Sequence, residues 1–211
     1  MIPFYGSKDP AMYAIERAAM DRPGRVIDEL RRRLPNSGLV ADIGAGDGYT
    51  ACHLETAERR VIAVEPDAGM IRHDQPRRWL QGVAAALPLD DNSLDAAYAT
   101  WAYFFTRDWD PTPGLGEIHR TVRRGGPLLI VDNLGDDEFS SLTDRDMAAD
   151  TVFWSANGFE TSIIDTAFEF ETIEDARRLL GFYFGERGRE GARLSVGYRV
   201  GLFAGHSRGV S

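Results

Sequence analysis

Cysteine is almost absent from this chain of 211 residues: Cys52 stands alone. One thiol excludes an internal disulfide framework and fits a reducing compartment, so a cytoplasmic location is expected. The four histidines (His53, His73, His119 and His206) are scattered, and none lies at metal-ligand spacing from another or from Cys52, so no metal is expected. No apolar run approaches the roughly 20 residues of a membrane span, and no basic-then-apolar segment opens the chain. Neither a membrane span nor a secretory signal is therefore expected. Positive charge is in deficit, with 24 Lys+Arg against 33 Asp+Glu and a net charge of −9. That balance repels phosphate backbones and argues against a nucleic-acid partner. Internal repeats and low-complexity tracts are absent as well.

Apolar residues are not scarce. At 43% hydrophobic, the chain can bury a full core, and its length suits one α/β domain. The organisation expected is an N-terminal helical cap over 1–35, a core over 36–132, and a substrate-side lid with C-terminal strands over 133–211. Spacing of apolar residues predicts helices over 9–20 and from Pro23 to before Pro35. Short strands are predicted over 39–43, 60–65, 78–83, 94–100 and 127–132, with helices over 49–57, 67–73 and 115–122 between them. That alternation predicts a parallel sheet with helices on both faces.

The last third differs. Residues 132–150 hold seven acids against one base, Arg145. They predict a solvated loop or a mobile lid, followed by a helix over 144–156. Strand character returns over 159–171. Thr172-Ile-Glu-Asp175 reads as a helix start, residues 185–191 as a charged turn, and 194–203 alternate like a strand. Two late strands around a helix suggest an antiparallel sheet edge.

The chemistry is concentrated in Val40-Ala-Asp-Ile-Gly-Ala-Gly-Asp-Gly-Tyr-Thr50. A buried-type strand meets Asp42 and runs into Gly44, Gly46 and Gly48. Such a turn lets backbone approach a ligand closely and offers unpaired N–H groups. A second strand, Val61-Ile-Ala-Val-Glu65, is again closed by an acid, and a carboxylate there can accept from two adjacent ribose hydroxyls. A dinucleotide fold calls for G-x-G-x-x-G, but here the third glycine comes one residue early. Asp42 would repel a pyrophosphate and could hold an ammonium group. The turn therefore favours a nucleoside with an aminoacyl tail.

On these residues the chain resembles the class I S-adenosylmethionine-dependent methyltransferases. Asp42-Ile-Gly-Ala-Gly-Asp-Gly48 is similar to the first motif of that family and Val61-Ile-Ala-Val-Glu-Pro-Asp67 to the second. Ala86-Leu-Pro-Leu-Asp-Asp-Asn-Ser-Leu-Asp95 resembles the approach to its fourth strand. Glu117-Ile-His-Arg-Thr-Val-Arg-Arg-Gly-Gly-Pro-Leu-Leu-Ile130 resembles the helix, Gly-Gly turn and fifth strand. The resemblance covers about 36–132. It implies a Rossmann-like, doubly wound, mostly parallel seven-stranded sheet with an antiparallel strand near the C-terminus.

It also implies S-adenosyl-L-methionine as cofactor. Asp42, Gly44, Ala45 and Gly46 would line its methionine part and Glu65 would take the ribose. Pro66, Asp67 and Met70 would flank the adenine, and Ala84 and Ala85 would meet its edge. Val83 stands where many members carry an acid for the exocyclic amine. Thr100 and Trp101 would face the methyl donor and the acceptor. Trp101, Tyr103, Phe104 and Phe105 form either a substrate wall or core packing. Tyr5 and Tyr13 lie in the segment that often lids the cofactor. Cys52 reads as packing and His119 as a surface residue.

The expected reaction is methyl transfer to O or N of a small molecule, and no catalytic residue is assigned. The run Ala99-Thr-Trp-Ala102 lacks the Asn/Asp-Pro-Pro-Tyr/Phe of amide and adenine amino methyltransferases. The lone, misplaced Cys52 argues against arsenic and cytosine-carbon methylation. Alternatives on the same fold are a cyclase or decarboxylase that keeps the cofactor, and a non-catalytic interaction module.

Overall fold

The structure, a computed structural model, describes residues 5–75, 78–102 and 110–210. Its elements run α1 (Pro10–Ala19), α2 (Arg25–Arg33), β1 (Gly38–Ile43), α3 (Tyr49–Leu54), β2 (Arg59–Glu65), β3 (Arg78–Gln81), β4 (Ala96–Thr100), α4 (Thr112–Thr121), β5 (Pro127–Asn133), α5 (Thr151–Ala156), β6 (Glu160–Glu169), α6 (Ile173–Phe184), α7 (Glu186–Glu190) and β7 (Ser195–His206). The seven strands form one sheet in the order β3-β2-β1-β4-β5-β7-β6. β1 to β5 pair in parallel, while β7 runs antiparallel to both β5 and β6. The expected mostly parallel seven-stranded sheet is present.

The sheet carries a core on each face, because successive strand residues point to opposite sides. Val40, Tyr98, Leu129, Val131, Tyr198 and Val200 pack with Met12, Leu30, Leu54 and Leu179 from α1, α2, α3 and α6. Ala41, Ile43, Ala97, Leu128, Ile130 and Phe203 pack with Leu115, Ile118 and Trp154 from α4 and α5. Burying each Val, Leu, Ile, Phe or Met among them contributes about 1.5–3 kcal/mol. Local signals set the helix starts. The Asp9 carboxylate accepts from Met12 N–H at 3.0 Å, Thr172 Oγ1 accepts from Asp175 N–H at 3.1 Å, and Asp150 accepts from Val152 and Phe153 N–H at 3.0 Å.

Several boundaries differ from expectation. Residues 67–73 form turns instead of a helix, because the Asp67 side chain takes the Gly69 N–H at 2.9 Å. The helix expected over 144–156 begins only at Thr151, where Asp150 caps it. Pro23 precedes α2, which starts after Gly24 at φ 74°. Residues 185–191, expected as a turn, hold the short α7, whose Gly188 sits directly against the Leu180 carbonyl. Cys52 is exposed rather than packed, and His119 is half-buried, its Nδ1 accepting from Arg208 N–H at 3.2 Å. The acidic stretch before α5 is pinned by late arginines: Arg187 meets Asp144 at 2.8 Å, Arg193 meets Glu138 at 3.5 Å, and Arg199 meets Asp136 at 3.1 Å. Among the described residues no helix is long and apolar enough to cross a membrane.

Candidate functional site

The strand order reverses direction between β1 and β4, the point at which open α/β sheets bind ligands beyond the strands' carboxyl ends. The glycine turn sits at that point. Gly44, Gly46 and Gly48 have φ of 74°, 57° and 79°, the left-handed region that side chains avoid. Each is also crowded. A Cβ on Gly44 would fall well under 3.0 Å from the Ala102 Cβ, one on Gly46 would lie 2.5 Å from the Tyr13 hydroxyl, and one on Gly48 would lie 2.9 Å from the Trp79 ring. The N–H groups of Gly44 and Ala45 both donate to the Val64 carbonyl, at 2.9 and 3.1 Å, which stitches the turn to β2.

Glu65 closes β2 and is only 4% exposed. Its two carboxylate oxygens accept from Gly46 N–H at 2.8 Å and Asp67 N–H at 2.9 Å. Each oxygen keeps a second acceptor position, so the group can still take two hydroxyls. Burial raises its pKa, and the two backbone donors partly offset this. Asp42 is fully buried on the face it shares with Val40, in register with Tyr98 of β4.

The N-terminal segment lies over this turn. Ser7 donates to the Asp67 carboxylate, Tyr13 covers Gly46, and Arg17 pairs with Asp47 at 3.1 Å. Burial raises the Tyr13 pKa, with Asp47 and Glu16 adding to it, so the phenol stays protonated. Of the other residues singled out from sequence, Met70 is buried beside the Asp67 turn, Ala84 is half-buried, and Pro66 and Ala85 are exposed. Thr100 ends β4, and Val83 is 50% exposed. Trp101 adopts φ 51°, and its indole N–H donates to the Tyr198 hydroxyl at 2.7 Å. Tyr5 donates to Glu16. Tyr103, Phe104 and Phe105 lie outside the described residues.

Other residues come to this end of the sheet that the sequence reading did not assign to the site. Gln75 Oε1 and Trp79 Nε1 are buried without partners among the described residues, and both side chains lie against Gly48. Tyr198 donates to the Asn133 side chain. Asp132, one residue before the end of β5, is 1% exposed, and one of its oxygens accepts from Asn133 N–H at 2.7 Å while the other has no partner among the described residues. An acid closing an apolar strand was the available signal. A groove of ≈ 210 Å³ beside Ala14, Ile15 and Ala18 uses the opposite face of α1 from Tyr13 and is not part of this arrangement.

Burial pushes the Asp132 pKa well up, with the Asn133 N–H opposing. The folded state then holds this proton more tightly than the unfolded one, so stability falls as pH rises from the ordinary carboxylate value through the raised one. Asp132→Asn keeps the acceptor for Asn133 and removes the charge. It is expected to stabilise the protein at pH 8 by roughly 1–3 kcal/mol, about 2–4 °C in Tm per kcal/mol, and the gain should vanish near pH 4. Scanning calorimetry at both pH values checks this, and an unchanged Tm at pH 8 would rule out an uncompensated carboxylate.

Residues 41–130 match the family model described as a methyltransferase domain. Over that stretch the chain is similar to methyltransferase domains. The chain is 36% identical over 132 residues to the uncharacterized methyltransferase Rv3342 of Mycobacterium tuberculosis, covering 60% of this chain and 52% of that one. It is 32% identical over 125 residues to malonyl-[acyl-carrier protein] O-methyltransferase 1 of Coxiella burnetii, covering 57% of this chain and 43% of that one. The chain thus spans about half the length of the relatives it matches. Among solved structures, a SAM-dependent methyltransferase of Thermotoga maritima, described as a possible histamine N-methyltransferase, superimposes with a TM-score of 0.66 at 18% identity, covering 98% of this chain and 99% of that one. At that identity the likeness speaks for the fold.

Proposed function

We propose that this chain belongs to the S-adenosylmethionine-dependent methyltransferases, binds S-adenosyl-L-methionine and transfers its methyl group to O or N of a small-molecule acceptor. One arrangement carries the reading: a buried Glu65 tied to the Gly46 turn with acceptor positions to spare. The sulfonium supplies an already activated methyl group, so the chain's work is alignment and exclusion of water. The backbone of Gly44, Ala45 and Gly46 surrounds the aminoacyl end, with Asp42 beneath it. Glu65 takes the ribose, and Pro66, Asp67, Met70, Ala84 and Ala85 form the adenine side. Thr100 and Trp101 stand at the end of β4, where the acceptor would arrive. Tyr13 and Ser7 cover the turn from the N-terminal side.

The carboxylates at the strand ends disfavour nucleic-acid acceptors, as does the net charge of −9. The exposed, unpaired Cys52 fits a reducing compartment, and the cytoplasm is the location proposed. The test is calorimetric titration with S-adenosylhomocysteine, followed by transfer of a labelled methyl group and NMR assignment of the methylated atom. Saturable one-to-one binding is expected. No binding by folded protein would overturn the reading, and binding without methylated product would favour a cyclase or decarboxylase on the same fold.

A further inference from the structure

The acid Glu16 has no part in the proposed cofactor site, yet it is the hub of an aromatic cluster. Tyr5 donates to one of its carboxylate oxygens and Tyr183 of α6 to the other. The two phenol oxygens lie 3.3 Å apart. Among the described residues no Lys, Arg or His pairs with Glu16, although the neighbouring Arg17 pairs with Asp47. The phenols satisfy one acceptor position on each oxygen and leave the charge uncompensated.

The cluster continues in both directions. The Tyr13 ring lies 6.4 Å from Tyr5 and covers Gly46. On the other side, Phe139 packs 5.9 Å from Tyr183 and 5.2 Å from Tyr198. Tyr198 stacks 6.4 Å from Trp101 at the tip of β4. The chain of rings therefore runs from the glycine turn to the end of β4, the two places between which the transferred methyl would lie. Tyr5, Tyr13, Glu16, Trp101 and Tyr183 each keep part of their surface open. Trp101 is held in a left-handed conformation, φ 51°, with its indole tied to Tyr198. Backbone strain in a residue of this size is sustained by its surroundings and clusters at ligand sites.

We propose that the methyl acceptor is an organic ammonium, drawn to the Glu16 carboxylate and walled by the faces of Tyr5, Tyr13, Tyr183 and Trp101. Aromatic faces attract a cation electrostatically, and a carboxylate that is half-buried and lacks a cation adds to that attraction. The same charge rejects acceptors bearing carboxylate or phosphate. A protonated amine gives one proton to a Glu16 oxygen. Its freed lone pair forms the N–C bond to the methyl carbon as the S–C bond breaks, and the positive charge moves from sulfur to nitrogen. Burial raises the Glu16 pKa against the opposing pull of the two phenols, which suits it to take that proton. This inference rests on the proposed methyl transfer and names its substrate class.

The experiment separates the two. Purified protein is titrated first with S-adenosylhomocysteine, then, while loaded, with tetramethylammonium chloride or with uncharged tert-butanol at matched ionic strength. Saturable binding of tetramethylammonium and none of tert-butanol is expected. Glu16→Gln, which can still bond both phenols, should weaken tetramethylammonium at least about tenfold and leave S-adenosylhomocysteine affinity within about twofold. Should that variant not fold, Tyr5→Leu removes a wall and is expected to weaken the cation in the same direction. With intact protein, benzylamine should be methylated in preference to benzyl alcohol and benzoate. Loaded protein that ignores tetramethylammonium, equal binding by Glu16→Gln, or preference for benzyl alcohol or benzoate would overturn the ammonium assignment alone. Failure to bind S-adenosylhomocysteine would overturn the methyltransferase reading beneath it, and the assignment with it.

Discussion

Glu65→Ala is expected to lower the affinity for S-adenosylhomocysteine by at least about a hundredfold. The carboxylate would lose two hydrogen bonds to ribose, each worth about 1.5–3 kcal/mol for a charged acceptor. It would also release Gly46 N–H and Asp67 N–H, which it now accepts at 2.8 and 2.9 Å. The side chain is only 4% exposed, so the buried donors find no immediate replacement in water. Glu65→Gln separates the contributions. Its amide oxygen can serve one backbone donor and its nitrogen cannot accept at all, so it should fall between wild type and alanine. Calorimetric titration of the three proteins measures the order. Unchanged affinity in Glu65→Ala would remove Glu65 from the site.

The pH dependence has a defined sign. The Glu65 pKa is raised in the folded protein, chiefly by burial. The unliganded fold therefore loses stability from this residue as pH rises from the ordinary carboxylate value through the raised one. Ribose hydroxyls donate best to the ionised form, so cofactor affinity should run the other way, strengthening over the same interval.

Gly44→Ala is expected to abolish cofactor binding and to destabilise the fold by about 2–4 kcal/mol, combining left-handed strain with overpacking. Its φ is 74°, and the added methyl would fall well under 3.0 Å from the Ala102 Cβ. Neither partner is the far end of a flexible chain, so the turn or the end of β4 must move. Gly125→Ala is the matched control. That residue also has positive φ, 81°, but nothing lies within 4 Å of an added Cβ. It should cost roughly 1–2 kcal/mol from strain alone and leave the affinity for S-adenosylhomocysteine intact. Thermal unfolding and calorimetry on both variants give the comparison. Equal losses in the two would mean that close packing at Gly44 has no special part in the site.

Much of this arrangement is legible in the linear chain because it depends on local rules. An apolar run that ends in an acid and three glycines can only be a buried strand leading into a tight turn. The alternation of strands and helices to residue 132 dictates a parallel sheet, and the late alternating segment an antiparallel edge. Boundaries differ where a side chain takes backbone N–H groups: Asp67 takes that of Gly69 and forms a turn instead of a helix, and Asp150 caps α5 and so fixes its start later in the chain. Cys52 is exposed because Ala51 and Leu54 take the buried face of the short α3.

The sequence by itself determined the sheet, the turn, the carboxylate at Glu65 and the resemblance to methyltransferase domains. Each is written in residues close together in the chain, where spacing and backbone chemistry act directly. Only the tertiary structure decided what surrounds the acceptor side proposed above. Glu16 and Tyr183 are separated by 167 residues, and Trp101 and Tyr198 by 97, yet each pair is joined by a hydrogen bond. No periodicity links such positions. They meet because α1 and α6 pack on one face of the sheet and β7 inserts antiparallel beside β5, which brings Tyr198 and Asn133 together near the tip of β4.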